Sequence, residues 1–297
     1  MSDSLPSIGL IGLGLMGEGF AERLTALGYP VVGFDILADK VAAAARLGAT
    51  AAASPAEVAL RADIVLLSVT TTAAVADVVE GPQGILSVDK PRLRVLVDHS
   101  TTEIETTRSL AKRLEERSSI ALVDAPVSGG PAAAKEGSLA IMAGGREEAI
   151  ATVRPIMEKL GRFTHMGSVG AGQATKLVNQ TLVLTNYCVM AEALRLAEAF
   201  GVDAAKVPQA LATGHAGSNL LPILFERMIA RDFAPRGYAR QVLKDLEMLH
   251  DAAQGQHLAM PMASQALTMF RMLVAQGSSE LDATAVLNLL PEVRPER

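Results

Sequence analysis

The sequence contains no tryptophan, and its only other aromatic residues are seven phenylalanines and three tyrosines in 297 positions. Little is therefore available for a surface on which nucleic-acid bases would stack. Cys188 is the only cysteine, which excludes an internal disulfide and a paired-cysteine metal site. It also fits a reducing cytoplasm, the expected location. The five histidines, His99, His165, His215, His250 and His257, fall at no metal-ligand spacing such as H-E-x-x-H, so no metal is expected. No run of about 18 uncharged apolar residues occurs, so no membrane span is expected. The opening Met1-Ser2-Asp3-Ser4-Leu5-Pro6 lacks a basic region followed by an apolar run, so no signal peptide is expected either. Basic clusters are absent too, and the formal net charge is −5, which argues against binding to a nucleic-acid phosphate backbone. A mild acidic balance still admits an anionic substrate, because one local cation outweighs it.

What is present is an ordinary globular composition, 49% hydrophobic and 20% charged, in a chain long enough for two domains. The first half alternates short apolar runs (7–11, 30–34, 64–69, 94–97 and 120–123) with Ala/Leu/Glu/Arg-rich stretches of helical spacing such as 103–117. Strands that are apolar throughout, separated by helices, predict a parallel sheet covered on both faces. An alanine-rich helix is expected over 42–53, and a last strand and helix over 139–143 and 147–160 close the first domain, placed at 1–165. After Gly172 no Gly or Pro interrupts the chain for 28 residues, the signature of a long, largely buried helix of roughly 40 Å linking two domains. The remainder, 203–212, 221–229, 239–254, 260–276 and 282–290, reads as helix throughout. The expected fold class is thus α/β, an N-terminal parallel Rossmann sheet joined by a long helix to an all-α second domain, 166–297.

The first apolar run leads into Gly12-Leu13-Gly14-Leu15-Met16-Gly17, a G-x-G-x-x-G directly between strand and helix. In that context Gly12 permits a tight turn, Gly14 lets backbone approach a pyrophosphate, and Gly17 brings helix and strand close. The helix N-terminus then favours the phosphate charge. Asp35 ends the next strand, 23 residues after Gly12, near the spacing of about 20 for a carboxylate that accepts from an adenosine ribose. A carboxylate there repels a 2′-phosphate, and no Arg follows it directly, so NAD is favoured over NADP. The lesser alternative is a plain strand-to-helix turn, with Asp35 capping the next helix.

Further motifs follow in order: Asp98-His99-Ser100-Thr101, Asp124-Ala125-Pro126-Val127-Ser128-Gly129-Gly130, Gly170-Ala171-Gly172-Gln173-Ala174-Thr175-Lys176-Leu177-Val178-Asn179, and Lys244-Asp245-Leu246. With the glycine fingerprint, their order and spacing resemble the β-hydroxyacid dehydrogenase family, which includes 3-hydroxyisobutyrate dehydrogenase and tartronate semialdehyde reductase, over essentially the whole chain. The resemblance implies reversible hydride transfer between a nicotinamide and a short β-hydroxy acid or its semialdehyde, in a cleft between the domains of a dimer or tetramer. It assigns Ser128, Gly129 and Gly130 to the substrate carboxylate, a role their hydroxyl and backbone N–H groups suit. It puts Val69, Thr70 and Thr101 with the cofactor, although Thr101 would also N-cap the helix starting near Glu103. Lys244 is implied to approach the cofactor, although Asp245 beside it would also make an exposed charge pair.

Lys176 is the residue implied to move the proton. At its reference pKa of about 10.4 a lysine is a poor base at neutral pH, so the role requires burial or a neighbouring cation. Leu177, Val178, Leu182, Val183 and Leu184 offer that burial. Asn179 shares its helical face at i+3 and suits a substrate hydroxyl or carboxylate without adding charge. Gly214-His215-Ala216-Gly217-Ser218-Asn219 most resembles the tartronate semialdehyde branch, with His215 departing from a usual apolar residue. A related imine-reducing group shares the fold but usually lacks the lysine. A nucleotide sensor without turnover is the remaining alternative, and it would have no need of Lys176, Asn179 and Ser128-Gly129-Gly130 together.

Overall fold

A computed structural model describes residues 5–292. The chain divides by its internal packing into two compact units, one ending at Lys176 and the other beginning at Leu177.

In the first unit the elements run β1 (Ile8–Ile11), α1 (Leu15–Ala26), β2 (Val31–Phe34), α2 (Ala38–Arg46), β3 (Thr50–Ala51), α3 (Pro55–Arg61), β4 (Ile64–Leu67) and α4 (Thr72–Glu80). They continue as β5 (Val95–Asp98), α5 (Ile104–Ser118), β6 (Ala121–Asp124), β7 (Val127–Ser128), α6 (Gly130–Glu136), β8 (Leu139–Gly144), α7 (Glu147–Leu160) and β9 (Gly161–Gly167). Strands pair in the order β3-β2-β1-β4-β5-β6-β8-β7, with β9 beside β8. From β3 to β6 every pairing is parallel.

Local chemistry starts several helices. The Ser54 hydroxyl accepts from Glu57 N ahead of Pro55 in the first turn of α3, and the Glu57 carboxylate takes the Ala53 N–H in return, a reciprocal cap of two orphan donors. At the start of α4 the Thr71 hydroxyl accepts from Ala74 N, a one-way cap. The strands bury both faces, as a parallel sheet under two helical layers must. Ile8, Leu10, Ile64, Leu66, Val95 and Val97 face one core with Phe20, Leu24, Val153 and Met157. Ile11, Val65, Leu67 and Leu96 face the other with Val58, Val75, Leu110 and Leu114.

The observed elements differ from the sequence reading at definite points. The helix expected over 42–53 ends at Arg46; Gly48 takes φ +100°, and Thr50–Ala51 pairs with β2 as an edge strand. Glycine in the left-handed region stops the helix that the alanines would otherwise continue. The strand expected at 139–143 is present as β8, but it runs antiparallel to β6 and β7. The chain reverses there through β7 and the short α6, without a full crossover. β9 escaped notice because Arg162, Thr164 and Met166 point outward from the sheet margin, so its apolar alternation is weak.

α8 (Ala171–Ala199) is the long helix the 28-residue gap predicted, and it enters the second unit; it is not buried all round as expected, since Val178, Leu182, Val189 and Leu196 are each more than half exposed. That unit adds α9 (Val207–Leu211), α10 (Leu220–Ala230), α11 (Ala239–Gly255) and α12 (Pro261–Ala275). Two expected helices are only partly realised. Within 203–212 a 3-10 turn at Ala204–Lys206 precedes the five-residue α9, and 282–290 is a 3-10 segment, Ala283–Leu289, started by the Asp282 side chain on Thr284 N. Phe225, Met228, Leu246, Phe270 and Val286 are buried in this unit. The Arg227 guanidinium makes a buried ion pair with Asp282 at 2.8 Å. Among the described residues no helix is long and apolar enough to cross a membrane.

Candidate active site

Parallel strands deliver the ends of β1, β2, β4, β5 and β6 to one edge of the sheet. Strand order reverses between β1 and β4, the point where open α/β sheets leave a crevice for ligands. The glycine loop lies there. Gly12 takes φ +84°, and a side chain on it would overlap the Ser68 carbonyl at the end of β4; one on Gly17 would overlap the Gly12 carbonyl. Only glycine satisfies both positions. A Cβ on Gly14 would meet nothing within 4 Å, which leaves backbone open to a bulky anion. This cradle fits the pyrophosphate of a dinucleotide. Leu13 is buried, Leu15 exposed, and Met16 packs against the core.

Asp35 does more than end β2. One carboxylate oxygen accepts from Leu13 N at 2.6 Å and the other from Leu37 N at 2.9 Å. The first bond ties Asp35 to the glycine loop, and the second is a local turn onto Leu37, the cap residue of α2; that helix has no side-chain cap, so Asp35 does not cap it as the alternative reading expected. Each oxygen keeps a further acceptor site for a ribose hydroxyl. Val69 N–H donates to the Ser100 hydroxyl at 3.0 Å, joining the ends of β4 and β5, while Thr70 is exposed. Thr101 lies between Ser100 and Thr102, and the residue at the cap position of α5 is Glu103.

The substrate-loop candidates follow β6. Ser128 ends β7, and Gly129 and Gly130 take φ +132° and +75°. Lys176 is 8% exposed, and its Nζ donates to the Val127 carbonyl at 2.8 Å. The first unit therefore brings Lys176 to the residue preceding Ser128; of the apolar residues expected to bury it, Leu177 and Leu184 are buried, whereas Val178 and Leu182 are each 62% exposed. Asn179 and Lys244 belong to the second unit. There Asn179 Nδ2 donates to Gln180 Oε1 at 2.9 Å, and Lys244 pairs with Asp245 at 3.0 Å.

Sequence reasoning missed the residues that hold the start of α8. Asp124, fully buried, accepts from Gly170 N and Gln173 N, both at 2.8 Å. A carboxylate there caps the helix and complements its dipole. Gln173, also buried, accepts from Thr102 N at 3.1 Å and donates to the Ser100 carbonyl at 2.8 Å. These bonds fasten the end of β5 and the end of β6 to the first turn of α8, which carries Lys176. The signal was available: both residues sit inside quoted motifs, but burial is what distinguishes them from ordinary polar positions.

Burial dominates the electrostatics. It raises Asp98 to about 7, against hydrogen bonds from Ser100 that lower it, and raises Asp124 to about 6 against the backbone donors of α8. His99 is pushed down to about 4 by burial, although its ring bonds the Ala125 carbonyl at 2.6 Å, so it stays neutral near pH 7. An acid whose pKa is raised on folding keeps protons that the unfolded chain has released, so stability falls as pH rises between the two values. The stability of the parent relative to Asp98→Asn should accordingly fall between about pH 4 and about pH 7 and level off above. Thermal denaturation across that range checks this, and a pH-independent difference would contradict it. Among the described residues no three His, Cys, Asp or Glu side chains gather as metal ligands would.

Comparison with known proteins identifies the family. Residues 7–212 match the family model described as the NAD binding domain of 6-phosphogluconate dehydrogenase. Residues 170–290 match the one described as NAD-binding of NADP-dependent 3-hydroxyisobutyrate dehydrogenase. The chain is 34% identical over 283 residues to a probable 3-hydroxyisobutyrate dehydrogenase-like 3, mitochondrial, of Arabidopsis thaliana, covering 95% of this chain and 86% of the relative. It is 34% identical over 286 residues to 2-hydroxy-3-oxopropionate reductase of Escherichia coli, covering 95% and 96%. Among solved structures, 3-hydroxyisobutyrate dehydrogenase from Salmonella typhimurium superposes with a TM-score of 0.85 at 26% identity, covering 96% of this chain and 99% of the other.

Proposed function

This chain belongs to the β-hydroxyacid dehydrogenase family, oxidoreductases acting on CH–OH groups with NAD(P)-binding domains, and on that premise we propose that it interconverts a short β-hydroxy acid and its semialdehyde with NAD. The observation that carries this reading is Lys176, buried and bonded to Val127 immediately before Ser128-Gly129-Gly130. In the proposed assignment Ser128, Gly129 and Gly130 hold the substrate carboxylate. Lys176 takes the hydroxyl proton during oxidation and returns it to the carbonyl oxygen during reduction. Asn179 orients the reacting end of the substrate. A bound nicotinamide supplies the hydride acceptor in one direction and the donor in the other. Gly12, Leu13, Gly14, Leu15, Met16 and Gly17 hold the pyrophosphate, Asp35 the adenosine ribose, and Val69, Thr70, Thr101 and Lys244 the remainder of the cofactor. A sensor of nucleotides alone would give Lys176 no task beside that loop.

NAD is preferred over NADP because a carboxylate at the end of β2 repels a 2′-phosphate and no Arg directly follows Asp35 to neutralise one. Substituting Asp35→Ala should weaken NAD by about 10- to 100-fold, the scale of hydrogen bonds to a charged acceptor, and NADP distinctly less. Losing the Leu13 and Leu37 bonds affects both cofactors alike, so the difference between them is diagnostic. Fluorescence titration measures it, and equal losses would refute the ribose role. The activity itself is tested by NAD-linked oxidation of a panel of C3 to C6 β-hydroxy acids; turnover of none would sink the substrate assignment.

A dimer or tetramer is part of the same proposal. Leu182, Val189 and Leu196, seven residues apart on α8, are each more than half exposed, and a second copy of the chain would cover such a stripe. A cytoplasmic setting suits the lone Cys188, whose thiol burial pushes up to about 12, far from reactive thiolate chemistry.

A further inference from the structure

We infer that Asp245 and Gln180 are positioning residues that fix which end of the Asn179 amide faces the substrate, an inference resting on the substrate role proposed above for Asn179. Four side chains of the second unit form one chain of polar contacts. Lys244 Nζ lies 3.0 Å from Asp245 Oδ1. Gln180 Nε2 donates to Asp245 Oδ2. Asn179 Nδ2 donates to Gln180 Oε1 at 2.9 Å. Gln180 is 7% exposed, and the Asp245 side chain 13%, so water competes little for these bonds.

An amide turned by 180° keeps its shape and exchanges a donor for an acceptor, so only its partners decide its direction. Here the direction is imposed from one end. Asp245 pairs with Lys244 through Oδ1, and a carboxylate only accepts. Gln180 must therefore turn its NH2 toward Asp245 and its oxygen toward Asn179. That oxygen also only accepts, so Asn179 must spend one N–H on Gln180. Its Oδ1 and remaining N–H then stand in a fixed order toward whatever binds. Turned over, Asn179 would set an N–H against the ligand group that its oxygen is built to meet. Lys244 and Asn179, assigned to cofactor and substrate respectively, are thereby linked through two residues with no assigned role.

A polarity-restoring pair of substitutions tests this. In Asp245→Asn the new amide can donate to Gln180, which frees Gln180 and then Asn179 to turn over. Oxidation of 3-hydroxyisobutyrate and reduction of tartronate semialdehyde should lose kcat/KM on the order of tenfold, the scale of one hydrogen bond at the reacting end. In the double variant Asp245→Asn with Gln180→Glu, residue 180 accepts on both sides, Asn179 regains its direction, and most of the loss should be recovered. A double variant no better than Asp245→Asn, while Asn179→Ala impairs turnover, overturns this inference alone. Unchanged turnover in Asn179→Ala overturns the substrate role of Asn179, and this inference with it. The cycle also has a readout that needs no substrate. Gln180→Glu alone sets two carboxylates face to face and should lower the thermal midpoint, and the added Asp245→Asn should raise it again; no recovery overturns the hydrogen-bonded chain.

Discussion

Lys176→Ala is expected to reduce turnover of any active hydroxy acid by roughly two to four orders of magnitude, the usual range for losing a positioned proton-transfer group. Dinucleotide affinity should stay nearly intact, because Gly12 and Asp35 hold the glycine loop through the ends of β2 and β4. The expectation follows from where the ammonium is held. Lys176 is buried to 8% exposure and donates to the Val127 carbonyl at 2.8 Å, so it cannot swing into solvent like a surface lysine. Removing it leaves the adjoining serine–glycine loop with no proton carrier from that side chain. Truncation also costs stability, since it opens space in a buried position and removes a donor from Val127. Lys176→Met, which retains most of the volume, separates the two effects. Steady-state kinetics with cofactor titration on both variants is the measurement, and turnover near the parent level would remove Lys176 from the mechanism.

Asp124→Ala should be nearly as damaging, through the position of Lys176 rather than the chemistry. The substitution strips acceptors from Gly170 N and Gln173 N at the start of α8. Leaving a buried donor unmet costs about 1–3 kcal/mol each, partly offset because a buried charge is removed with it. A loosened first turn shifts the register of Lys176 against Val127. Misplacement of a catalytic group by about 1 Å costs on the order of a hundredfold in rate. We expect a lowered thermal midpoint together with a fall in kcat that exceeds any change in KM, while NAD affinity changes little. Glutamate or asparagine at this position should rescue only in part, since neither presents both oxygens at the same distance. Kinetics matching the parent in a variant with a lowered midpoint would show that the cap serves folding alone.

Several features of the candidate site are legible in the sequence, and the reason differs from residue to residue. Gly12, Gly17 and Asp35 were legible because their roles are set locally: a left-handed turn, a close helix–strand contact and a strand end repeat the same sequence spacing wherever this unit is built. The 28-residue interval without Gly or Pro announced α8 for a similar reason. The helix expected over 42–53 shows the limit of that approach, since the alanines favour helix on both sides of Gly48 and the left-handed turn there hands Thr50–Ala51 to pairing with β2.

Asp124, Gln173 and Gln180 lay within or beside quoted motifs and still carried no readable role, and Asp245 was legible only as a charge partner of Lys244. Their partners are 46 to 73 residues away in sequence, as with Gly170 for Asp124 and Ser100 for Gln173, or on another helix, as with Asp245 for Gln180. A polar side chain in a string of letters does not disclose whether it will be solvated, and the cost that makes it informative exists only once water is excluded. The glycine fingerprint, the family motifs and the long helix were determined by the sequence alone, because each depends on backbone conformation over a few neighbouring residues. The burial of Lys176 against Val127, the clamp at the start of α8 and the direction of the Asn179 amide were decided only by tertiary structure, because each depends on desolvated partners that folding brings together from distant parts of the chain.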